Sequence, residues 1–263
     1  MSAPRRFWVG LPGARLEAAW WGPAPEEAPS IALLHEGLGC VALWRDFPAE
    51  LAAATGCGVL AWSRVGYGAS TPVRLPRPLS YMHDEARERV SPVLEAAGVR
   101  RCLLLGHSDG ASIAAIHAGT VADPRVTGVA LLAPHFIVEE ISLDGIRAAR
   151  QRWETTELRA RLARYHADAD GAFLGWNDAW LTPEFRHWDI TADLARVRLP
   201  LLVVQGTADA YGSVAQARLA ERLAAGPVEA LVLEGVGHAP HAEAPGPVLA
   251  ALTRFAQNNA HIG

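Results

Sequence analysis

Short apolar runs recur along the chain, and most are followed by glycine or proline and then by residues with helical spacing. Ser30 to His35, Gly58 to Ser63, Arg101 to Leu105, Val126 to Ala133, Leu199 to Gln205 and Glu229 to Leu233 are too short for amphipathic helices. They read as buried strands. Between them, helices are expected over Ala42 to Thr55 (Trp44, Phe47, Leu51 and Ala54 on one side), Tyr81 to Ala97, Ala111 to Gly119, Val214 to Ala225 and Pro245 to Ala256. Arg6 to Val9 and Leu16 to Trp21 flank Pro12-Gly13 and read as an antiparallel hairpin at a sheet edge. Strand–helix alternation of this kind predicts a parallel sheet covered by helices.

The alternation fails between Val138 and about Arg196, a charged, helix-prone stretch carrying Trp153, Tyr165, Trp176, Trp180 and Trp188. It is too long for a loop of a compact domain, so it reads as a helical insertion that covers something. The expected organisation is an α/β core domain from residues 1-136 and 198-263, with residues 137-197 as a helical cap. Half of the 263 residues are hydrophobic and a fifth are charged, enough for a sizeable core. A net charge of −4 argues against a nucleic-acid surface. All 24 basic residues are arginines, which excludes a Schiff-base lysine, a P-loop lysine and a Ser–Lys dyad. The three cysteines (Cys40, Cys57, Cys102) read as reduced core thiols. No apolar h-region follows the basic start, and no apolar run approaches the ~18 residues of a membrane span. A cytoplasmic protein with no membrane or nucleic-acid partner is expected, as a monomer or homodimer.

Gly106-His107-Ser108-Asp109-Gly110 stands between a Leu-rich strand and an Ala-rich helix. Such a strand–turn–helix places a serine hydroxyl at the apex, beside the positive end of the helix. Glycines flank it because side chains there would collide with the turn. In a parallel sheet, chemistry collects at the carboxyl ends of the strands. Asp209 and His238 each follow a strand of their own. A serine needs a base to take its proton, and a histidine needs a carboxylate to fix its tautomer and stabilise the imidazolium.

In these segments the chain resembles the α/β-hydrolase superfamily. The likeness rests on Gly106 to Gly110, Gly206-Thr207-Ala208-Asp209, Gly235-Val236-Gly237-His238-Ala239-Pro240-His241-Ala242-Glu243, and the glycine-rich turn Gly66-Tyr67-Gly68-Ala69-Ser70. It implies an α/β-hydrolase fold: an eight-stranded, mostly parallel sheet flanked by helices, with a helical cap inserted after strand 6. It also implies Ser108 as nucleophile, Asp209 as acid and His238 as base. The oxyanion hole should use the backbone N–H of Asp109 and a second N–H from the loop after His35. The family usually has His-Gly there, whereas this chain has His35-Glu36-Gly37-Leu38-Gly39, so the second donor is Gly37 or Leu38. Glu36 either contacts substrate or water, or turns to solvent or an arginine.

Asp109 either faces the pocket or serves as a helix N-terminal carboxylate. His107 reads as packing, and His135 either lines the pocket or is a core histidine. Trp153, Trp176, Trp180 and Trp188 bind substrate or dock the cap. His238 and His241 have a metal-like spacing without a third ligand cluster, so neither metal nor cofactor is expected. The resemblance implies a serine hydrolase acting on a small or medium carboxylic ester or thioester through an acyl-enzyme. Carbon–carbon hydrolysis of ring-fission products, lactone or amide hydrolysis, and a ligand-receptor role on the same fold are the alternatives. A serine nucleophile argues against dehalogenases and epoxide hydrolases of this fold, which would require aspartate.

Overall fold

A computed structural model describes residues 3–260, so the outermost ends of the expected core domain lie outside the described residues. The chain runs β1 (Arg5–Leu11), β2 (Ala14–Trp21), β3 (Ser30–Leu34), α1 (Phe47–Thr55), β4 (Gly58–Trp62), α2 (Tyr81–Glu88), α3 (Val90–Ala96), β5 (Cys102–His107), α4 (Asp109–Thr120) and β6 (Val126–Leu132). Four helices follow: α5 (Glu140–Thr155), α6 (Leu158–Leu162), α7 (Ala169–Leu181) and α8 (Thr191–Leu194). Then come β7 (Leu201–Gly206), α9 (Ala215–Leu223), β8 (Val228–Leu233), α10 (Pro240–Glu243) and α11 (Pro245–Asn259).

The strands form one eight-stranded sheet in the order β1-β2-β4-β3-β5-β6-β7-β8. β1 and β2 pair antiparallel at one edge, and β2 is antiparallel to β4. The pairings from β4 to β8 are all parallel. Every residue of β3, β4, β5 and β7 is buried, as continuous apolar runs in a sheet covered on both faces require. On one face α1 and α11 pack against Ile31, Leu33, Val59 and Leu103. On the other, α2, α3 and α4 lie on the sheet, and residues of the four helices after β6, such as Ile146, Phe173 and Trp180, join the same apolar cluster. Cys40, Cys57 and Cys102 are buried and unpaired. No helix among the described residues is long and apolar enough to cross a membrane.

Two expected helices are broken. Over Ala42 to Thr55, a 3-10 turn at Val41–Trp44 ends at Arg45, whose φ is 54°, and α1 starts afresh at Phe47 with a proline in its first turn. Pro48 has no N–H to give the carbonyl of residue 44, so one helix cannot run through. Over Tyr81 to Ala97, α2 and α3 meet at Arg89 (φ −121°), and Pro92 likewise removes the bond to the carbonyl of Glu88.

Candidate active site

The chain passes from β3 outward to β4 and then returns to β5 on the other side of β3, so the strand order reverses between β3 and β5. A crevice opens at such a switch point, beyond the carboxyl ends of the strands. Ser108 stands in it, between β5 and α4, at φ 54° and ψ −121°. A non-glycine residue rarely adopts that conformation, which costs on the order of 1–3 kcal/mol and persists only when its surroundings enforce it. Here the turn is locked by close backbone approaches. A Cβ on Gly106 would lie 2.2 Å from the carbonyl oxygen of Gly110, and one on Gly110 would lie 2.0 Å from that of Leu34. Gly106→Ala is therefore expected to lower stability by at least about 2 kcal/mol, because backbone must move to admit the methyl. An unchanged urea midpoint would show that the turn has slack.

His238 reaches Ser108 from the loop after β8. Its Nε2 accepts from Ser108 Oγ at 2.9 Å, and its Nδ1 donates to both carboxylate oxygens of Asp209, each at 2.9 Å. Glu243 braces the loop by accepting from the N–H groups on either side of His238, Gly237 at 2.7 Å and Ala239 at 3.0 Å. Asp209 follows β7 and is buried. Burial pushes its carboxyl up, but the bond from His238 and those from Tyr211 N–H (2.7 Å) and Gln205 Nε2 (2.9 Å) outweigh this, and the group lies below its usual range.

The loop after β3 is held from behind by buried Arg64. Its guanidinium donates to the carbonyls of His35 (3.3 Å) and Glu36 (2.9 Å), and the Glu36 carbonyl also accepts from His35 Nδ1 (2.7 Å) and Gly39 N–H (3.1 Å). The last of these closes a turn whose central residues, Gly37 and Leu38, keep their own N–H groups out of it. In a trans peptide the N–H of Gly37 points opposite to the Glu36 carbonyl, hence away from Arg64. A Cβ at Gly37 would lie 2.1 Å from the indole nitrogen of Trp176, so only glycine fits there. At the other side of the crevice the N–H of Asp109 stands at the first position of α4, ahead of the intrahelical bonds and in the positive field of the helix.

Glu36 does meet an arginine, but through its carbonyl; its carboxylate turns to His107, 3.5 Å from Nδ1. Burial raises the Glu36 carboxyl and lowers the His107 imidazole, and in each the attraction of the partner prevails. The pair is thus favoured as carboxylate and imidazolium. His107 Nε2 donates to the carbonyl of His238 at 2.7 Å, so the residue before Ser108 ties the loop carrying His238 in place. His241 stands among rings, 4.9 Å from His107, 5.1 Å from Phe47 and 5.2 Å from Trp44. Among the described residues no group of three or more His, Cys, Asp or Glu is arranged to hold a metal.

Beside Ser108 lies a cavity of about 110 Å³. Ser108, Asp109 and His238 form one wall, with Glu36, Gly37 and Leu38 on the loop after β3. Trp176 and Trp180 of α7 and Ser142 and Ile146 of α5 close it from above, and His135 and Tyr211 complete it. Trp153 is not in this wall; its ring stacks on Phe173 at 4.1 Å between α5 and α7. Trp188 packs instead on Phe185 and Trp180. Asp109 is both a helix N-terminal carboxylate and part of the wall, and accepts from Tyr81 OH at 2.6 Å. Tyr81 in turn accepts from Trp180 Nε1 at 3.1 Å, a polar chain linking α7 to the start of α4.

Tyr81, Ser142, Ile146 and Tyr211 are absent from the sequence expectations. Tyr211 had a signal, two residues after Asp209 in the same turn, and Ser142 and Ile146 are four apart on one helix face. Tyr81 had none.

Residues 31–252 match the family described as Alpha/beta hydrolase family. Over 78 residues the chain is 36% identical to Epoxide hydrolase A of Mycobacterium tuberculosis (strain ATCC 25618 / H37Rv), a stretch covering 29% of this chain and 24% of that protein. The chain thus spans about a quarter of that relative's length. Among solved structures, it is similar to the esterase RhEst1 from Rhodococcus sp. ECU1013, with a TM-score of 0.71 at 20% identity over 97% of this chain and 99% of that one. It is also similar to the enol-lactonase from Burkholderia xenovorans LB400, with a TM-score of 0.70 at 20% identity over 95% and 99%. Identities this low speak to the fold. With the family match running from β3 into α11, on a sheet of the same architecture as these hydrolases, the chain belongs to the alpha/beta hydrolase family.

Proposed function

We propose that the protein hydrolyses a carboxylic ester or thioester of a small acyl group through an acyl-enzyme on Ser108. The observation that carries this is the continuous relay from Ser108 Oγ to His238 Nε2, and from His238 Nδ1 to the carboxylate of Asp209. His238 takes the Ser108 proton as Oγ attacks the carbonyl carbon, and Asp209 stabilises the imidazolium. The oxyanion of the tetrahedral intermediate is held by the N–H groups of Asp109 and Gly37. Gly37 is favoured over Leu38 by the direction that Arg64 imposes on the Glu36 peptide. His238 then protonates the departing alcohol or thiol, and next deprotonates the water that releases the acid. No step needs a cofactor.

Residues 137-197 serve in this scheme as the cap, their helices supplying Ser142, Ile146, Trp176 and Trp180 to the cavity. An engineered cavity of ~150 Å³ accepts benzene, so about 110 Å³ suits an acyl group of roughly four or five carbons. With p-nitrophenyl esters from acetate to octanoate, and the matching acyl-CoA thioesters, kcat/KM is expected to peak at or before butyrate or pentanoate and fall steeply beyond. If neither series turns over while a vinylogous ring-fission diketone is cleaved, carbon–carbon hydrolysis replaces this reading.

A further inference from the structure

A buried indole N–H usually finds an acceptor within the protein. Trp20 donates to the carbonyl of Pro23 at 2.7 Å, and Trp180 to Tyr81 OH at 3.1 Å. The N–H groups of Trp44, Trp62 and Trp188 have no partner but are sealed within the packing. Trp176 belongs to neither group. The residue is only 6% exposed, and its N–H makes no hydrogen bond among the described residues. Yet Nε1 is not one of the sealed atoms, so it keeps surface of its own. Trp176 is part of the wall of the cavity beside Ser108, and that is where a side chain this buried has surface to present.

Gly37 fixes which way the ring lies. A Cβ there would stand 2.1 Å from Nε1, 2.4 Å from Cδ1 and 2.8 Å from Cε2. A point on the N–H axis would be clearly farther from both carbons than from the nitrogen. These closely similar distances place it over the face of the pyrrole ring instead. The Gly37 Cα thus stacks on the indole, and the N–H, which lies in the ring plane, is not spent on the loop. It runs alongside the Gly37 peptide, whose own N–H points away from Arg64.

An indole N–H can only donate, so its partner is an acceptor carried by the ligand. A cavity of about 110 Å³ holds one small acyl group, and the acceptor of an acyl group is its carbonyl oxygen. During attack by Ser108 that oxygen gains charge beside the N–H groups of Gly37 and Asp109. An oxyanion has three lone pairs, and two backbone donors leave one of them to fill.

We infer that the indole N–H of Trp176 is a third donor to the oxyanion, a catalytic group contributed by α7. The inference rests on the acyl-enzyme reading of Ser108 and gives the apolar ceiling of the cavity a part in the chemistry. The ring that bounds the acyl group also stabilises the charge that develops on it. Held between Gly37 on its face and Phe173, 5.9 Å away in an edge-to-face contact, the donor is in place before the reaction starts.

The test compares p-nitrophenyl butyrate with p-nitrophenyl thionobutyrate, whose C=S sulfur accepts hydrogen bonds weakly. Trp176→Phe is expected to lower kcat toward the oxygen ester by about tenfold or more, with KM little changed. Its rate toward the thionoester should stay close to that of the wild type. The oxygen-to-sulfur ratio of kcat/KM therefore falls by about tenfold or more, whereas a loss of packing alone would slow both esters alike. Trp180→Phe is the control. It trims the same wall, its N–H is committed to Tyr81, and Tyr81 still donates to Asp109 without it, so the ratio should match the wild-type value. If phenylalanine disturbs the contact with Phe173, 3-benzothienylalanine at position 176 keeps the outline of the indole and replaces only the N–H by sulfur. A ratio unchanged at position 176, or lowered equally by Trp180→Phe, would overturn the inference, while turnover by the wild-type protein leaves the esterase reading standing. Wild-type protein inert toward both esters would remove that reading and the inference with it.

Discussion

His238→Ala is expected to lower kcat toward small acyl esters by about six orders of magnitude, with little change in the denaturant midpoint. Among the described residues, the imidazole is the one group in contact with both Ser108 Oγ and the Asp209 carboxylate, each at 2.9 Å. Without it the hydroxyl has no proton acceptor and the leaving group no donor. The fold should tolerate the loss. His238 sits on a loop braced by Glu243 through backbone N–H groups, which the substitution leaves in place. Asp209 keeps three donors, Tyr211 N–H, Gly212 N–H and Gln205 Nε2, so its buried charge is not stranded. Ser108→Ala should cost about as much, and the double variant no more than either single one, because the two groups act in a single proton transfer. Multiplying losses in the double variant would mean that Ser108 and His238 work separately.

Asp209→Asn is expected to cut kcat by about 10⁴ with the fold intact. In the proposed mechanism the carboxylate does two things for His238: it fixes the proton on Nδ1 and stabilises the imidazolium formed during attack. An amide removes the charge and lets the ring take the wrong tautomer. Its NH₂ would also face the Gln205 NH₂ group that now donates to Asp209 Oδ2. A flip of Gln205 would pair the two amides but would turn its oxygen toward the buried Gly212 carbonyl, which now accepts from Gln205 Nε2 at 3.0 Å. Folding stability should therefore fall by about 1–3 kcal/mol, and a denaturation curve checks this beside the rate. A rate barely reduced would transfer the acid role to another carboxylate; Glu36 is engaged with His107, which leaves Asp109.

The residues of this relay were legible because each is joined to a local pattern. Ser108 stands between two glycines at the end of an apolar run, and Asp209 and His238 follow such runs with glycine close by. The parallel sheet was legible for the same reason, since strands buried on both faces are continuously apolar. The two helix breaks at Pro48 and Pro92 had visible signals, outvoted by the apolar spacing around them. What eluded the sequence depends on distant partners. Whether Gly37 or Leu38 aims its N–H into the site is set by Arg64, which comes from the loop after β4. Glu36 meets His107 because β3 and β5 are neighbours in the sheet, an adjacency that chain order does not reveal. Trp153 is as aromatic as Trp176 and Trp180, yet only the approach of α5 to α7 decides that it stacks on Phe173 and they line the cavity. Tyr81 carried no mark of its own, and its support of the wall arises from tertiary packing alone.

The proposed activation of Ser108 is open to one direct measurement: incubation with a fluorophosphonate, followed by intact mass and peptide mapping. A stoichiometric adduct on the peptide carrying Ser108, absent in Ser108→Ala and formed far more slowly in His238→Ala, is the predicted result. A folded protein that takes up no label, or takes it up on another residue, would contradict the assignment of Ser108 as the nucleophile.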